Sequence, residues 1–531
     1  MPRDHRWQHL QNCQLPAHLL KIVMNLYHDD EYILVDGDKH ARVQPTHGVK
    51  QGCPLSPLLF SLYLNDIPNI FHGIEGACTG IPSFTISHLL YADDLCLTSN
   101  SPSSMQQMLD RLSTYSRSKY LTVNTQKSVI VCFNSRGSNL PVFLYDNEQI
   151  PLSDHFKYLG MFCDKNLNLN KAAEEALKPC LASMMRIRTF LQEHKLSNRL
   201  HACAWLFKVY VIPASMYASQ IWATSYLRQG HEMENCIQKG LLRFLRALLG
   251  VRSSTPSWSV LRECGVEPIQ LNWLRACARL YNNLVYANSP LLRQTLQADI
   301  TLSQFNPACW VSHFLSGTNG LTHTLLYHEQ IQNGSPLNLS QLVLDLRKRH
   351  LDFWQQPLLS QHQPRDSGIN SRTCTYHHWC ALPHRNAHVT SSPYTTPKYF
   401  HLDLPKHVVC SVARFRLRVH HLKIEKNSWD GNICPNCDLC EANDDVQDEQ
   451  HVLFKCTHPH VCQLRRKYAS LFSGSVLSIS TLAAQGSPFL PASHFVHPLD
   501  MRCFLNQSNY KLCYFLHELL TFYEQASSQS I

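Results

Sequence analysis

The chain has 531 residues and a mass of 61.0 kDa, enough for roughly three folded domains. Apolar residues make up 44% of the sequence and charged residues 16%, which excludes a disordered chain, and no apolar run reaches the ~18 residues of a membrane-spanning helix. The net charge of +9 suits a polyanionic partner but also occurs in proteins that have none.

The N-terminal residues contain neither an apolar signal core nor an Arg-rich and Ser-rich presequence. We therefore expect an intracellular protein, in the nucleus or the cytoplasm, with no signal peptide and no membrane partner. The 22 cysteines are mostly single, unlike those of a secreted disulfide scaffold, so we expect most of them to be reduced. The sequence does not indicate an oligomeric state.

The first segments alternate between helical and extended patterns. Residues 17–35 have apolar positions at helical spacing and then a strand-like run that enters the turn at Asp36, Gly37 and Asp38. Residues 49–65 are interrupted by Gly52 and two prolines, which predicts a loop that opens a helix. A helix followed by a hairpin, then a loop and a second helix, is the expected order.

A second hairpin is predicted at residues 88–99, with Asp93 and Asp94 at its tip. Residues 100–118 have a polar cap, a proline in the first turn and one apolar face, which predicts a helix. Strand-like runs follow at 128–133 and 155–162. These elements predict helices combined with an antiparallel sheet.

The later sequence is mainly helical in pattern from about residue 167 to 287, with long periodic stretches at 171–192, 200–226 and 231–250. Between about 288 and 405 the periodicity fades and Pro, Ser, His and Gln accumulate, which indicates loops around a few short helices. The last part contains a basic segment, a Cys/His cluster and a terminal helix from about 509 to 525.

The acidic pair Asp93 and Asp94 is the first segment of the sequence that could bind a metal ion. Mg²⁺ and Mn²⁺ prefer hard oxygen ligands, and polymerases hold two such ions with carboxylates. Taken alone, the dipeptide favours an exposed acidic turn, because Asp is common in turns. The sequence around it favours the metal site.

Four segments in succession resemble the motifs of a non-LTR (LINE-type) retrotransposon reverse transcriptase. They are Gly48-Val49-Lys50-Gln51-Gly52-Cys53-Pro54-Leu55-Ser56-Pro57-Leu58-Leu59-Phe60, His88-Leu89-Leu90-Tyr91-Ala92-Asp93-Asp94, Leu121-Thr122-Val123-Asn124-Thr125-Gln126-Lys127-Ser128 and Phe156-Lys157-Tyr158-Leu159-Gly160. The resemblance implies an α+β fold with a partial polymerase palm, containing an antiparallel sheet and helices, at residues 1–165. A helical thumb-like or connection region would follow at 166–290, a loop-rich linker region at 291–405, and a C-terminal region with a zinc knuckle at 406–531.

The same resemblance implies an RNA-directed DNA polymerase that performs two-metal nucleotidyl transfer with an RNA template, a DNA primer or target, and dNTPs. Asp93 and Asp94 would bind Mg²⁺ or Mn²⁺ and act in catalysis together with Lys127, which would lie near the leaving pyrophosphate. The substrate-binding residues would be Gln51, Gly52, Tyr91, Leu159 and Gly160. An ordinary loop, a core tyrosine, a surface lysine and a simple turn are the corresponding structural alternatives.

In this family the first metal-binding Asp lies on a strand before the segment that corresponds to Met1, Pro2, Arg3 and Asp4 here. We therefore expect that strand to lie upstream of residue 1, and the chain to be an N-terminally truncated fragment without polymerase activity of its own. Asp4 is no substitute, because its position fits the start of a helix. The alternatives are a non-catalytic nucleic-acid-binding remnant of a retroelement and, third, a protein similar to a group II intron maturase.

The Cys/His cluster near the C-terminus has the spacing C-x2-C-x10-H-x4-C, formed by Cys437, Cys440, His451 and Cys456. These ligand types and this spacing favour a tetrahedral Zn²⁺ site over a chance arrangement or disulfides. Cys434 is a spare thiol. Other residues that could compete as ligands are His458, His460 and Cys462.

A basic segment precedes the cluster at residues 413–418. Arg414, Arg416 and Arg418 alternate with apolar residues, which predicts a strand with one basic face for nucleic-acid phosphates. A solvated edge strand explains the pattern equally well.

Overall fold

The computed structural model describes residues 2–28, 31–50, 52–78, 85–133, 141–196, 198–227, 233–359, 376, 379–380, 394–440, 445–472, 501, 504–507 and 509–529. The chain divides into two compact units. Unit 1 contains residues 1–172 and 290–302, and unit 2 contains residues 173–289 and 303–531. The predicted division into four regions stays a prediction.

Unit 1 combines helices with short strands. Its helices are α1 Arg3–Asn12, α2 Ala17–His28, α3 Ser56–Tyr63, α4 Ile67–Ile70, α5 Pro102–Ser118 and the start of α6 Leu169–Glu193. Its strands are β1 Tyr32–Asp36, β2 Lys39–Val43, β3 Ala77–Cys78, β4 Thr85–Ile86, β5 His88–Tyr91, β6 Asp94–Leu97, β7 Phe143–Tyr145, β8 Glu148–Ile150, β9 His155–Tyr158 and β10 Met161–Asp164. The predicted hairpins at 32–43 and 88–99 and the helix at 100–118 are confirmed.

The strands of unit 1 pair as five separate antiparallel ribbons, in the order β1 with β2, β3 with β4, β5 with β6, β7 with β8 and β9 with β10. The sequence predicts a common antiparallel sheet, but within the described part of unit 1 no ribbon joins another. The strand predicted at 128–133 is reduced to one bridge between Ile130 and Leu152. Local alternation predicts an extended segment but does not determine its partners.

Local signals explain the start of α5 and the core beneath it. The Ser101 side chain caps the helix by accepting a hydrogen bond from Ser104 N at 3.1 Å, and Pro102 occupies the first turn. The apolar face of α5 packs with α3, α4 and the β7–β8 ribbon. The buried members of this cluster include Tyr63, Phe71, Met108, Leu112 and Tyr145. This core is the platform beneath the β5–β6 hairpin.

Unit 2 is built from helices. They are the continuation of α6, then α7 Leu200–Leu206, α8 Ile212–Ala214, α9 Ser219–Trp222, α10 Cys236–Leu249, α11 Ser257–Glu263 and α12 Ile269–Val285, with α13 Pro290–Leu302 assigned to unit 1. The remainder are α14 Trp310–Thr318, α15 Thr324–Gln332, α16 Leu339–Leu359, α17 Lys406–Arg416, α18 Lys423–Trp429, α19 Pro459–Lys467 and α20 Tyr510–Gln529. The terminal helix predicted from about 509 is therefore confirmed.

The long helix predicted at 200–226 is broken into short pieces. A π-helical turn, Phe207–Val211, follows α7 and leads directly to Pro213 in α8. Proline has no backbone N–H and its ring clashes with the preceding turn, so the regular hydrogen-bond ladder cannot continue through it. Ala218 then adopts a left-handed φ of 51° before α9.

The stretch expected to be rich in loops is more helical than its sequence indicates. Helices α13 to α16 occupy most of residues 290–359. Each of α14 and α15 has only 9 residues, so neither repeats its apolar positions often enough to give a clear helical period. Residues 360–375 and 381–393 lie outside the described part.

The basic strand predicted at 413–418 is wrong, because these residues end helix α17 and enter the turn after it. Residues two apart on a helix differ by about 200° in direction, so Arg414 and Arg416 do not share a face. Arg418 lies beyond the end of the helix, with a left-handed φ of 53°. Arg416 is buried and its Nε donates to Glu263 at 2.7 Å, while Arg418 donates to Glu449 at 2.7 Å. The segment therefore presents no basic strand to phosphates.

None of the helices that the structure describes combines the length and the apolar character needed to cross a membrane.

Candidate active-site hairpin and metal centre

The β5–β6 hairpin turns over two residues, Ala92 and Asp93, between the paired residues Tyr91 and Asp94. Ala92 has a φ of 53°, in the left-handed region that glycine favours. A non-glycine residue in this region costs about 1 kcal/mol. The tight turn is thus strained, and it places both aspartates at the tip of the hairpin, as predicted.

The tip of this hairpin faces solvent. The Tyr91 side chain is 63% exposed, and Asp93 and Asp94 are exposed as well. Tyr91 is therefore not a core tyrosine. No salt bridge engages either carboxylate among the residues that the structure describes. Both carboxylates are accessible to a cation from solvent.

The base of the hairpin is held by packing and by hydrogen bonds. Leu95 and Leu97 are half-buried against the core of unit 1. Thr98 N donates to Ser87 O at 2.9 Å, and Thr98 Oγ1 donates to Ile86 O at 2.5 Å. A fixed base lets the short ribbon hold its tip in one position.

The β9–β10 hairpin has an electrostatic link to β6 through Tyr158. Its turn consists of Leu159 and Gly160, with φ values of 48° and 78°, as a type I′ turn requires. Burial raises the pKa of Tyr158, and the negative charges of Cys96 and Asp94 raise it further. Asp94 is therefore within electrostatic range of this second hairpin. Leu159 and Gly160 are among the predicted site residues, whereas Tyr158 is not, although it lies in the same motif.

The loop before α3 places Gly52 in a tight turn. Gly52 has a φ of 81°, and a Cβ there would meet no atom within 4 Å, so its backbone conformation alone requires glycine. The carbonyl of Lys50 accepts from Ser56 Oγ at 2.5 Å, which ties the loop to the helix. Gln51 lies outside the described residues.

Lys127 lies in a turn whose first residue is Asn124. Its backbone N–H is 3.1 Å from Asn124 Oδ1, and its side chain is exposed. In the part of unit 1 that the structure describes, no hydrogen bond or ion pair connects Lys127 with Asp93 or Asp94. The fold thus brings the two hairpins together but does not join Lys127 to them.

The four cysteine and histidine residues of the C-terminal cluster converge in unit 2. The ligand atoms of Cys437, Cys440, His451 and Cys456 all lie within 4.8 Å of one another, and all four residues are buried. Zn²⁺ binds thiolate at about 2.3 Å and imidazole at about 2.0 Å, which places tetrahedral ligands about 3.8 Å apart or less. A small contraction would bring this cluster to that geometry.

The local structure orients each ligand. Cys437 N donates to Asp445 O at 2.9 Å, and Cys456 N donates to His451 O at 2.8 Å across the π-helical turn His451–Lys455. His451 Nε2 is 3.5 Å from Cys440 Sγ, so this nitrogen faces the centre. Its other ring nitrogen, Nδ1, is 3.6 Å from Asp445 Oδ2, which is too long for a hydrogen bond, and it has no hydrogen-bond partner among the described residues.

The thiols interact with one another. A hydrogen bond with Cys456 and burial together raise the pKa of Cys437 to about 11, while the same hydrogen bond lowers the pKa of Cys456. A divalent cation can displace the proton that two buried thiols share in this way, and the thiols then act as metal ligands. The residues present fit a zinc ion.

The residues that could compete as zinc ligands are not part of the cluster. The rings of His458 and His460 lie 4.9 Å and 4.6 Å from the ring of Phe522. Cys462 Sγ donates to Thr457 O at 3.4 Å, and Cys434 is exposed. Among the residues described, the four predicted ligands are the group that converges.

Comparison with known proteins agrees with the motifs. Residues 1–163 match the family described as reverse transcriptase (RNA-dependent DNA polymerase). The chain is 25% identical over 256 residues to the "Probable RNA-directed DNA polymerase from transposon BS" of Drosophila melanogaster, covering 47% of this chain and 28% of that protein. It is 26% identical over 196 residues to the "Retrovirus-related Pol polyprotein from type-1 retrotransposable element R2" of Popillia japonica, covering 35% of this chain and 31% of that protein.

A third relative is the "RNA-directed DNA polymerase from mobile element jockey" of Drosophila funebris, which is 21% identical over 218 residues, covering 39% of this chain and 23% of that protein. The matched segments span less than a third of the length of each of these relatives.

Proposed function

Residues 1–163 carry a reverse transcriptase domain related to those of non-LTR retrotransposons, and from this premise we propose that the β5–β6 hairpin binds the divalent metal ions of RNA-directed DNA synthesis. The observation that supports this most directly is the exposed tip of the hairpin, where Asp93 and Asp94 stand beside Tyr91 on a fixed base. Mg²⁺ or Mn²⁺ would activate the primer hydroxyl and hold the nucleotide phosphates. The RNA template, the DNA primer or target and the dNTPs are the proposed substrates of the complete protein.

The protein residues would position these substrates. Asp93 and Asp94 would hold the metal ions, and the Tyr91 ring would lie against the primer terminus. The Leu159–Gly160 turn would support the primer strand. Gly52 would allow close approach of the backbone to a base pair, with Gln51 donating from its amide. Lys127 would neutralise charge on the departing pyrophosphate. This role requires that substrate binding brings Lys127 near the β5–β6 hairpin.

The test is primer extension by the 531-residue chain on an RNA template, measured together with primer–template binding by fluorescence anisotropy. If the 531-residue chain carries a complete polymerase site, extension should occur with Mg²⁺ or Mn²⁺ and should be lost in Asp93→Asn. The matched control is Asp38→Asn, because Asp38 is an exposed turn residue of the β1–β2 hairpin. Extension that survives Asp93→Asn would contradict the proposed site.

A second candidate function is nucleic-acid binding without synthesis, as in a retroelement remnant. Among the described residues, the acidic group at the β5–β6 tip consists of Asp93 and Asp94. Two-metal sites share carboxylates from several positions in the chain, so this observation favours the second candidate. Primer–template binding without extension would support this candidate. Absence of both binding and extension would contradict both functions.

We also propose that Cys437, Cys440, His451 and Cys456 bind Zn²⁺, which would cross-link the segment around them. The test is metal analysis of the purified chain. Cys437→Ser should lose one zinc per chain, while Cys434→Ser, in the exposed spare thiol, should retain it. Equal zinc content in both variants would contradict this ligand set.

A further inference from the structure

Unit 2 carries an exposed guanidinium stacked on an aromatic ring. The guanidinium carbon of Arg252 lies 3.9 Å from the centre of the Trp429 ring. Both residues are exposed, Trp429 to 38%. The His421 ring meets the Trp429 ring edge-on, with the ring centres 5.9 Å apart and the planes at 86°. Three flat side chains therefore meet at one place on the surface of unit 2, and we call this group the Arg–Trp stack.

His421 stands beside the guanidinium as an uncharged ring. Arg252 Nη2 lies 3.5 Å from His421 Nε2. Burial lowers the pKa of His421. Of the neighbouring charges, that of Glu524 raises this pKa and those of three cations lower it further, namely Arg252, Lys426 and Arg414. An uncharged imidazole nitrogen can accept a proton from the guanidinium, whereas a charged ring would repel it.

The turn that carries Arg252 is packed tightly against helix α17. Gly250 ends α10 with a left-handed φ of 65°, two residues before Arg252. A Cβ at Gly250 would lie 2.6 Å from Cys410 Sγ, so the backbone touches α17. The Gly250 carbonyl accepts from Arg414 Nε at 3.0 Å. These contacts fix the backbone from which Arg252 extends.

Trp429 is the last residue of α18, and this helix is held at both ends. At its start, Lys423 N donates to Gln447 Oε1 at 3.0 Å, and Gln447 Nε2 donates to Cys437 Sγ at 3.6 Å. Near its end, Asn427 Nδ2 donates to the carbonyl of residue 433 at 2.6 Å. The aromatic ring is therefore presented from a fixed element, so a ligand of the stack need not order it.

Positive charge is in excess around the Arg–Trp stack. Residues 250–258 include no acidic side chain. Neither Arg252 nor Lys426, which lies one helical turn before Trp429, forms an ion pair with a carboxylate that the structure describes. The acidic side chains nearby have other partners: Glu425 contacts Arg418, Asp438 contacts Lys423, Glu524 contacts Arg414, and Asp430 accepts from Asn432 N. A polyanion is thus the complementary partner.

We propose that Arg252, His421 and Trp429 form a docking site for single-stranded nucleic acid. A base stacks on the outer face of the guanidinium, because arginine planes stack on bases as they do on aromatic side chains. The N–H groups at the edge of Arg252 and the ammonium of Lys426 bind the neighbouring phosphates. A single strand is favoured over a duplex, since the faces of paired bases are already stacked. The site goes beyond the proposed metal-binding hairpin, because it binds nucleic acid in unit 2 without a metal ion.

Photo-crosslinking of the full chain locates the bound strand. One arm uses a single-stranded RNA that contains bromouridine, and the second arm uses single-stranded DNA of the same sequence with bromodeoxyuridine. Mass spectrometry after digestion should find nucleotide attached to the peptide that contains residues 421–429 in at least one arm. Crosslinks that avoid this peptide in both arms would overturn the proposal.

Substitutions at Trp429 separate stacking from packing. In anisotropy titrations with the same strands, Trp429→Leu should weaken binding about 10-fold, while Trp429→Phe keeps an aromatic face and should bind nearly as the wild type does. The matched control is Trp205→Leu, where the tryptophan is 56% exposed in α7, and its affinity should not change. Equal affinities of the Leu and Phe variants at Trp429 would overturn the stacking role.

Substitution of Arg252 tests the phosphate contact. Arg252→Gln should reduce the slope of log affinity against log salt by about 0.7, as expected for one counterion released from a single strand. The control Arg199→Gln should keep the wild-type slope, because Arg199 is paired with Asp403 at 2.7 Å. An unchanged slope in Arg252→Gln would overturn the contact. Competition by polyglutamate as strong as that by the unlabelled strand would show that the site takes acidic peptides instead. None of these measurements requires primer extension, so their outcome is independent of the β5–β6 hairpin.

Discussion

Tyr91 and Asp94 form the last cross-strand pair of the β5–β6 hairpin. Residues directly opposite each other in an antiparallel pair project from the same face of the ribbon. The Tyr91 ring and the Asp94 carboxylate therefore lie side by side, and Asp93 lies in the turn between these two residues. One tight turn thus places an exposed aromatic ring beside an exposed carboxylate, the two groups to which we assign base stacking and metal binding.

Replacement of Tyr91 by Ala should weaken primer–template binding with little effect on folding. Stacking of a base on an aromatic ring contributes about 1–3 kcal/mol. The side chain is 63% exposed, so its removal costs little core packing. The control is Tyr286→Ala, where the tyrosine is 69% exposed in unit 2. Anisotropy titrations that give equal affinities for both variants would exclude a role of Tyr91 in stacking.

The substitution Leu159→Asn should stabilise the β9–β10 hairpin. Leu159 has a φ of 48°, which asparagine tolerates better in a type I′ turn, and the expected gain is about 1 kcal/mol. The measurement is hydrogen exchange of the amides in residues 155–164. Leu144→Asn in strand β7 is the control and should give no gain, because its backbone is extended. Faster exchange in Leu159→Asn would show that this side chain contributes more through contacts than it costs in strain.

The stability of unit 1 should depend on pH through Asp66. Burial raises the pKa of this carboxyl, but hydrogen bonds from Lys119 and Tyr115 outweigh burial and hold the pKa below the ordinary value of 3.8. The Lys119 Nζ atom is 2.7 Å from Asp66 Oδ2. A lowered pKa in the folded state means that the carboxylate stabilises the fold above 3.8, and that this contribution is lost as the pH falls through the folded-state pKa.

Asp66→Asn should therefore be less stable than wild type at pH 7, and the difference should shrink in acid. Urea unfolding between pH 7 and pH 3 measures this difference. Asp110→Asn on the exposed face of α5 is the control and should follow the wild-type curve. A difference between wild type and Asp66→Asn that does not change with pH would contradict the ion pair as its cause.

Glu263→Gln should destabilise unit 2 strongly. Glu263 is fully buried and accepts from Arg416 at 2.7 Å, Tyr376 at 2.7 Å and Tyr399 at 2.9 Å. Removing one member of a buried ion pair leaves the other charge unpaired, which costs about 3–5 kcal/mol. The control is Glu267→Gln, whose partner Arg275 and carboxylate are both partly exposed, so the loss should be smaller. Equal unfolding free energies for the two variants would contradict this prediction.

Arg416 gives a further check, since the sequence pattern assigned it to a phosphate-binding strand. Because its guanidinium is buried against Glu263, Arg416→Gln should leave the salt dependence of RNA binding unchanged while it lowers stability. If Arg416→Gln instead weakened the salt dependence of RNA binding without lowering stability, the result would show that Arg416 contacts nucleic acid.

The sequence predicted the parts of the molecule whose causes are local. The β5–β6 hairpin, the capped helix after it and the Cys/His spacing depend on residues within a few positions of one another, and all three are confirmed in the structure. Alternation with apolar residues predicts a strand for the arginines of 413–418, but the segment ends a helix. Their real partners, such as Glu263, are distant in the chain, and no spacing rule identifies them.

The residues around the metal centre likewise could not be predicted from the local sequence. Gln447 lies within the ligand segment but has an ordinary polar side chain, which does not indicate that it donates to Cys437. Only the fold brings this donor to the thiol. The pairing of the short strands was missed for the same reason, because partners are determined by tertiary contacts.

We propose that Asp93 and Asp94 hold divalent metal ions, and Mn²⁺ titration followed by electron paramagnetic resonance measures this binding directly. The wild-type chain with bound primer–template should bind Mn²⁺ at a site that Asp93→Asn combined with Asp94→Asn removes. The control Asp38→Asn should bind as the wild type does. Mn²⁺ binding that is the same in the double variant and in the wild type would contradict the account.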